Sequence, residues 1–416
     1  MIPAVEAEAL ILDLTPYPQG EHCIEQISLT EAQGRILAQP VSSDLDFPHW
    51  DNSAMDGYAV RYADVRQATA EHPVSLSIIA EVPAGKPPTQ MVQSGQAARI
   101  LTGAMLPDGA DTIVMQENTQ RQEDRVKILE APTQGQFVRH QGSFHRAGTP
   151  LLSAGLPLGG AEIAVLAAAQ CPVLPVYRKP RVALLSTGDE LVPPDHPLRP
   201  GQIVDSNQYA LAALVEQTGA VPVPLGIIPD HPQALAEGIQ TALQKADLIL
   251  SSGGVSVGDY DYVDQVLSDL GATLHLRSVA VKPGKPLTVA TFPSPSQGNL
   301  LYFGLPGNPV SALVSFWRFV APALRKLSGL PGGWSPSFVS AVTQDTLKSG
   351  GGRETYLWGH LTLSERGNTF RLAGGSHSSG NLINLAGTNA LAVVPVGTKL
   401  VNSGATVGCM TLQRMG

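Results

Sequence analysis

Between Arg181 and Leu330 the chain alternates short apolar runs with amphipathic stretches, and this alternation restricts the fold more than any other feature. Residues 182–186, 221–228, 248–250, 273–281, 287–292 and 300–304 read as strands. Near-continuous aliphatic runs of this length are what strands buried on both faces require. Residues 207–217, 232–245 and 260–270 read as helices between them, with 309–326 as a helix after the last strand. The pattern predicts a three-layer α/β domain with a mostly parallel sheet. Ligands of such sheets bind at the carboxyl ends of the strands. The loops at that edge are residues 186–191, 251–261 and 305–309.

Around this unit the pattern changes. Residues 3–14 read as a short helix with Pro at its first turn. Residues 46–137 carry short alternating strands, such as 74–79 and 111–115, punctuated by Pro and Gly. Residues 159–170 return to a helical pattern. The expected organisation is therefore a discontinuous first domain (1–45 and 138–178) and an inserted β-rich domain (46–137). The α/β domain (179–330) and a C-terminal β domain (331–416) follow. The fold class is multidomain α/β plus β.

With 43% apolar and 15% charged residues the 416-residue chain is a well-filled globular protein. A net charge of −8 argues against a nucleic-acid coat or an anionic membrane surface. The longest apolar stretch, residues 161–170, is too short to span a bilayer. Cys23, Cys171 and Cys409 lie far apart with no Cys-x-x-Cys pair, and no basic leader precedes Glu6 and Glu8. These features point to a reduced cytoplasm. The ten histidines show no metal-ligand spacing.

The loop chemistry is uneven. The run Ser251-Ser-Gly-Gly254, continued through Ser256 and Gly258, joins a strand to a helix start. There the absent Cβ atoms of Gly253 and Gly254 admit backbone N–H groups to an anion. Asp259 and Asp261 beside it would repel a bare phosphate, so a divalent cation between them follows. Ser186-Thr-Gly-Asp-Glu-Leu191 sets Ser186, Gly188 and the Asp189-Glu190 pair at the same edge. Lys282-Pro-Gly-Lys-Pro286 holds Lys282 and Lys285 on a stiff turn, either simply solvated or suited to an oxyanion such as phosphate or molybdate. Gly304-Leu-Pro-Gly-Asn-Pro-Val-Ser311 freezes a turn between Pro306 and Pro309, with Asn308 inside it and Ser311 in the following helix. Asp51-Asn-Ser-Ala-Met-Asp56, before Gly57, is either an Asx-turn or a source of a cation or proton-transfer ligand in Asp56. Thr102-Gly103 is either a turn cap or a phosphate contact.

Taken in order and apart from Thr102-Gly103, five of these motifs, from Asp51-Asn-Ser-Ala-Met-Asp-Gly-Tyr-Ala59 to Leu305-Pro-Gly-Asn-Pro-Val-Ser311, closely resemble the molybdopterin molybdenumtransferase family, which includes the E domain of gephyrin. The resemblance implies an enzyme that takes adenylylated molybdopterin, cleaves its pyrophosphate with Mg²⁺ and inserts molybdate, releasing AMP. It also implies a homodimer with active sites between subunits, and delivery of substrate by the enzyme that adenylylates molybdopterin. The carried-over positions are Asp56, Thr102, Glu190, Asp230, Asp261, Lys282, Lys285, Pro306, Pro309, Arg353 and Ser379. Asp56, Glu190, Asp230 and Asp261 are the implied cation ligands. Phe144 replaces an acid of the family pattern, and Arg277-Ser278 stands where some relatives carry a lysine. A pterin- or molybdate-storing paralogue is the competing reading.

Overall fold

The computed structural model describes residues 1–253, 260–294 and 298–412, with the backbone alone for residues 260–262. The chain forms two compact units. The first comprises Met1–Ala38, Gly155–Gly159 and the chain from Pro175 onward; the second comprises Gln39–Ala154 and Gly160–Leu174. The Ala4–Leu14 helix thus falls in the first unit and the Gly160–Ala168 helix in the second.

The centre of the first unit is a six-stranded sheet in the order Val221–Ile228, Arg181–Thr187, Leu248–Ser252, Gly298–Leu305, Pro286–Ser294, Thr273–Ser278. The first four strands are parallel and the last two pair antiparallel, so the sheet is mixed at one edge. The two-residue period of a strand explains the three layers. Val182, Leu184, Leu248 and Leu250 face one core with Leu211, Val310 and Phe319. Ala183, Leu185 and Ile249 face the other, with Leu235, Ile239 and Leu267 of the Pro232–Lys245 and Tyr260–Asp269 helices. Helices Asn207–Gln217 and Pro232–Lys245 have the predicted bounds. The helix expected over 309–326 is instead Pro309–Ser315, a π-turn at Phe316–Val320, and Ala321–Leu327. Pro322 in the first turn of the last piece lacks the amide a continuous α-helix would use there.

Downstream, Glu354–Thr362, Thr369–Leu372, Phe338–Thr343, Thr406–Thr411 and Ala390–Val394 pair in that order, and Ala390–Val394 pairs back to Glu354–Thr362. Five strands therefore close a small barrel. The short strand Val281–Lys282 adds to it in parallel, Lys282 opposite Thr355. The second unit carries a six-stranded sheet ordered Thr112–Met115, Gly57–Val60, Gln96–Ile100, Val74–Val82, Arg125–Ile128, Thr119–Gln122.

Candidate functional site

Strands Arg181–Thr187, Leu248–Ser252 and Gly298–Leu305 run parallel and end together, so the loops after them meet at one edge. There they open into a cavity of about 700 Å³. Gly188, Glu190, Asp230, Gly253, Pro306, Asn308, Pro309 and Ser311 line it, uniting eight of the residues singled out from the sequence.

Three glycines lie where these loops approach one another, and at Gly253 no other residue fits. A Cβ on Gly253, whose φ is +94°, would lie 2.1 Å from the Thr187 carbonyl oxygen. A Cβ on Gly188 would lie 2.7 Å from Glu190 Oε2, so that carboxylate folds back over the bare backbone. A Cβ on Gly307 would come within 3.5 Å of Gly253 Cα. Bare backbone in three adjoining loops is how a site offers main-chain groups to a phosphate-bearing ligand. The loops are also tied to one another. The Asp230 N–H donates to Asp189 Oδ1 at 3.0 Å. Asn207 Nδ2 donates to the Gly307 carbonyl at 2.9 Å.

Ser186 lies beneath the cavity, buried, with its hydroxyl 3.4 Å from that of Ser252. Lys282, exposed, and Lys285 lie on the neighbouring turn, whose Pro286 reaches the cavity wall. The turn packs tightly on the Pro309–Ser315 helix, since a Cβ on Gly284 would meet Ser315 Oγ at 2.9 Å. Arg353 joins the lysine turn by donating Nη1 to the Val281 carbonyl at 3.1 Å. The Ser379 carbonyl accepts the Val310 N–H at 3.2 Å, which sets Ser379 beside the helix start, with Gly380 on the cavity wall.

Asp56 and Thr102 belong to the second unit. The Thr102 N–H and hydroxyl both donate to Asp56 Oδ1 at 2.7 Å. These two bonds, hydroxyl first, hold the Asp56 carboxyl below the usual carboxylate range. The bonds span forty-six positions, so they are a tertiary contact and neither a local Asx-turn nor a turn cap. Gly254, Ser256 and Gly258 lie outside the described residues, as does the side chain of Asp261. Among the described residues no three His, Cys, Asp or Glu side chains group closely enough to hold a metal ion.

Sequence reasoning missed Asp205, Asn207 and Gly380 as cavity residues, and gave Thr187 and Gly307 no role of their own within the loops it placed at the ligand edge. Asp205-Ser-Asn207 carried a usable signal, a polar trio across the start of a helix. Asp205 is buried and accepts from the Gln208 N–H at 3.1 Å, the bond of a helix cap.

Comparison with known proteins adds three family matches. Residues 2–169 match the MoeA N-terminal region (domain I and II), residues 183–326 a probable molybdopterin binding domain, and residues 340–412 the MoeA C-terminal region (domain IV). Over 407 residues the chain is 59% identical to molybdopterin molybdenumtransferase of Nostoc sp., covering 98% of this chain and 93% of that protein. It is 36% identical to the Haemophilus influenzae molybdopterin molybdenumtransferase over 88% of each chain. The crystal structure of the molybdopterin biosynthesis MoeA protein from Pyrococcus horikoshii superposes with a TM-score of 0.83 at 29% identity, covering 99% of this chain and 100% of that one.

Proposed function

The chain belongs to the molybdopterin molybdenumtransferase family, and from that membership we propose that it inserts molybdenum into molybdopterin. The observation that carries the proposal is the cavity where Gly188, Gly253 and Gly307 present bare backbone beside Glu190 and Asp230. In its finer form the reaction takes adenylylated molybdopterin, cleaves the phosphoanhydride, releases AMP and places molybdate on the dithiolene.

Each group has a part in this reading. The backbone of the three glycine loops cradles the phosphate end of the pterin. Pro306 and Pro309 hold the third loop in one conformation before the ligand arrives, which lowers the entropy lost on binding. Asn207 keeps that loop in place through Gly307. Two acids lining one cavity suit Mg²⁺, which takes one or two carboxylates together with substrate phosphates and water. Glu190 and Asp230 would hold it, with Asp261 from the first turn of the Tyr260–Asp269 helix and Asp56 as further acids. When bound, the ion neutralises charge on the phosphoanhydride oxygens. Lys282, Lys285 and Arg353 supply positive charge for the molybdate oxyanion, with Ser379 adjoining.

The proposal extends to assembly and setting. The unit divides as residues 1–45 with 138–178, 46–137, 179–330 and 331–416. Two copies form a dimer whose clefts bring the acids of different domains together, a two-fold pair being the commonest assembly. The adenylylating enzyme hands over the substrate, and the three free cysteines accord with the cytosol. No helix among the described residues is long and apolar enough to cross a membrane.

The deciding experiment supplies adenylylated molybdopterin, Mg²⁺ and molybdate to the purified chain and identifies the nucleotide released. AMP appearing in step with active cofactor is expected. Pterin retained without AMP release would replace the proposal with a storage role.

A further inference from the structure

Beside the Lys282 turn lies a buried polar chain that the reaction above leaves unused. Arg318 is 3% exposed and occupies the π-turn Phe316–Val320. Such turns are rare and recur at functional sites. Arg318 Nε donates to the Tyr356 hydroxyl at 3.0 Å, and its Nη1 donates to Glu8 Oε2. Tyr356, itself fully buried, donates onward to Glu354 Oε1. Burial, with the neighbouring Glu354 carboxylate, pushes the Tyr356 phenol well above its ordinary value despite Arg318, so it remains a donor. A charge as buried as that of Arg318 is costly to keep, and replacing such groups by apolar ones is often neutral or better for stability. Its presence calls for a role beyond holding the core together.

The far end of the chain supplies one. The Glu354 N–H donates to the Ala280 carbonyl at 3.0 Å, and the Val281–Lys282 strand pairs Val281 with Glu354 and Lys282 with Thr355. Arg353, next in sequence, grips the Val281 carbonyl. Glu354 and Tyr356 share one face of their strand, and Arg353 immediately precedes that strand. Anchoring Glu354 from behind therefore fixes the backbone on which Lys282 and Arg353 both depend.

We infer that Arg318, acting through Tyr356 and Glu354, is a positioning residue that sets Lys282 and Arg353 at the spacing the oxyanion needs. The inference rests on the reading of those two cations as the molybdate site. Residues linked in this way shift a remote interaction by factors of roughly 3 to 30 when the link is cut.

The test uses the full chain and compares Tyr356→Phe, which removes only the hydroxyl, with Lys282→Ala and Glu354→Gln. Tyr356→Phe should raise KM for molybdate about 3- to 30-fold, with kcat at saturating molybdate and direct pterin binding unchanged. Glu354→Gln keeps an acceptor for the Tyr356 hydroxyl and should stay near the parent value. Should Tyr356→Phe fail to fold, Glu354→Ala at the partly exposed end of the chain reads the same ratio. A normal molybdate KM in Tyr356→Phe, with Lys282→Ala impaired, overturns the positioning role and leaves the site standing. A normal KM in Lys282→Ala overturns the site and the inference with it. Loss of pterin binding in step with molybdate use would make the network structural and also overturn the role.

Discussion

Replacing Gly253 by Ala should damage both the stability and the ligand cavity of the α/β domain. The new methyl would sit 2.1 Å from the Thr187 carbonyl oxygen and 3.0 Å from its hydroxyl, so about 1 Å must open between two loops. Neither strand is free to yield. Ser252 is in register with Ser186 on one side and with Leu305 on the other, inside a parallel sheet. Overpacking of this kind costs about 1–3 kcal/mol. Holding a side-chain-bearing residue at φ +94° adds about 1–2 kcal/mol. The total is about 2–5 kcal/mol. Gly271→Ala carries the backbone part alone, because Gly271 has a φ of +85° but open space where its Cβ would go, and should cost only about 1–2 kcal/mol. Urea denaturation of both variants, beside pterin binding, makes the measurement. Gly253→Ala should unfold at a clearly lower urea midpoint than Gly271→Ala and lose pterin affinity. Equal midpoints would refute the rigid contact, and unchanged pterin affinity would refute the placement of the phosphate-bearing end.

Three further outcomes are expected. Glu190→Gln and Asp261→Asn, both nearly isosteric, should each lower AMP release about 100- to 1000-fold while thermal unfolding stays within a few degrees of the parent; an unchanged rate would return these acids to turn-forming roles. Asp247, 8% exposed, accepts Arg178 at 2.7 and 2.6 Å and the Arg181 N–H at 2.8 Å, so Asp247→Ala should destabilise the chain by about 3 kcal/mol in urea titration by stranding a partly buried guanidinium. The Asp51 carboxyl is held below its ordinary value: burial opposes this, but the Gln141 N–H and His140 outweigh it. Because its folded value is depressed, its stabilisation is complete above the ordinary carboxylate value and is lost as pH falls through the lower folded one; the Gln141 amide resonance should shift in that acidic window.

The second-unit pair shows how far residue type alone reaches. Asp56 before a glycine admitted both an Asx-turn and a functional acid, and only the fold brought Thr102, forty-six positions on, to bond it. Phe144, where an acid was expected from the family pattern, is 73% exposed and so serves no core. In the C-terminal domain residues 356–363 and 390–394 read as strands, close to the observed Glu354–Thr362 and Ala390–Val394, but their closure into a barrel is not legible, because closure is a matter of pairing between distant strands.

What the sequence determined by itself was the alternation of strand and helix between Arg181 and Leu330, and with it the loops at the carboxyl edge. Local periodicity and turn chemistry act over a few residues, so strands such as Val221–Ile228 and glycine loops such as Gly253 were legible at once. What the tertiary structure decided was which of those polar residues share a space. Asn207 reaches Gly307 across a hundred positions, and Arg318 reaches both Glu8 and Tyr356 from a π-turn inside a stretch that reads as plain helix. Side-chain bonds between distant segments depend on packing that no local pattern encodes, so the cavity wall and the buried chain behind Lys282 emerged only when the strands were laid side by side.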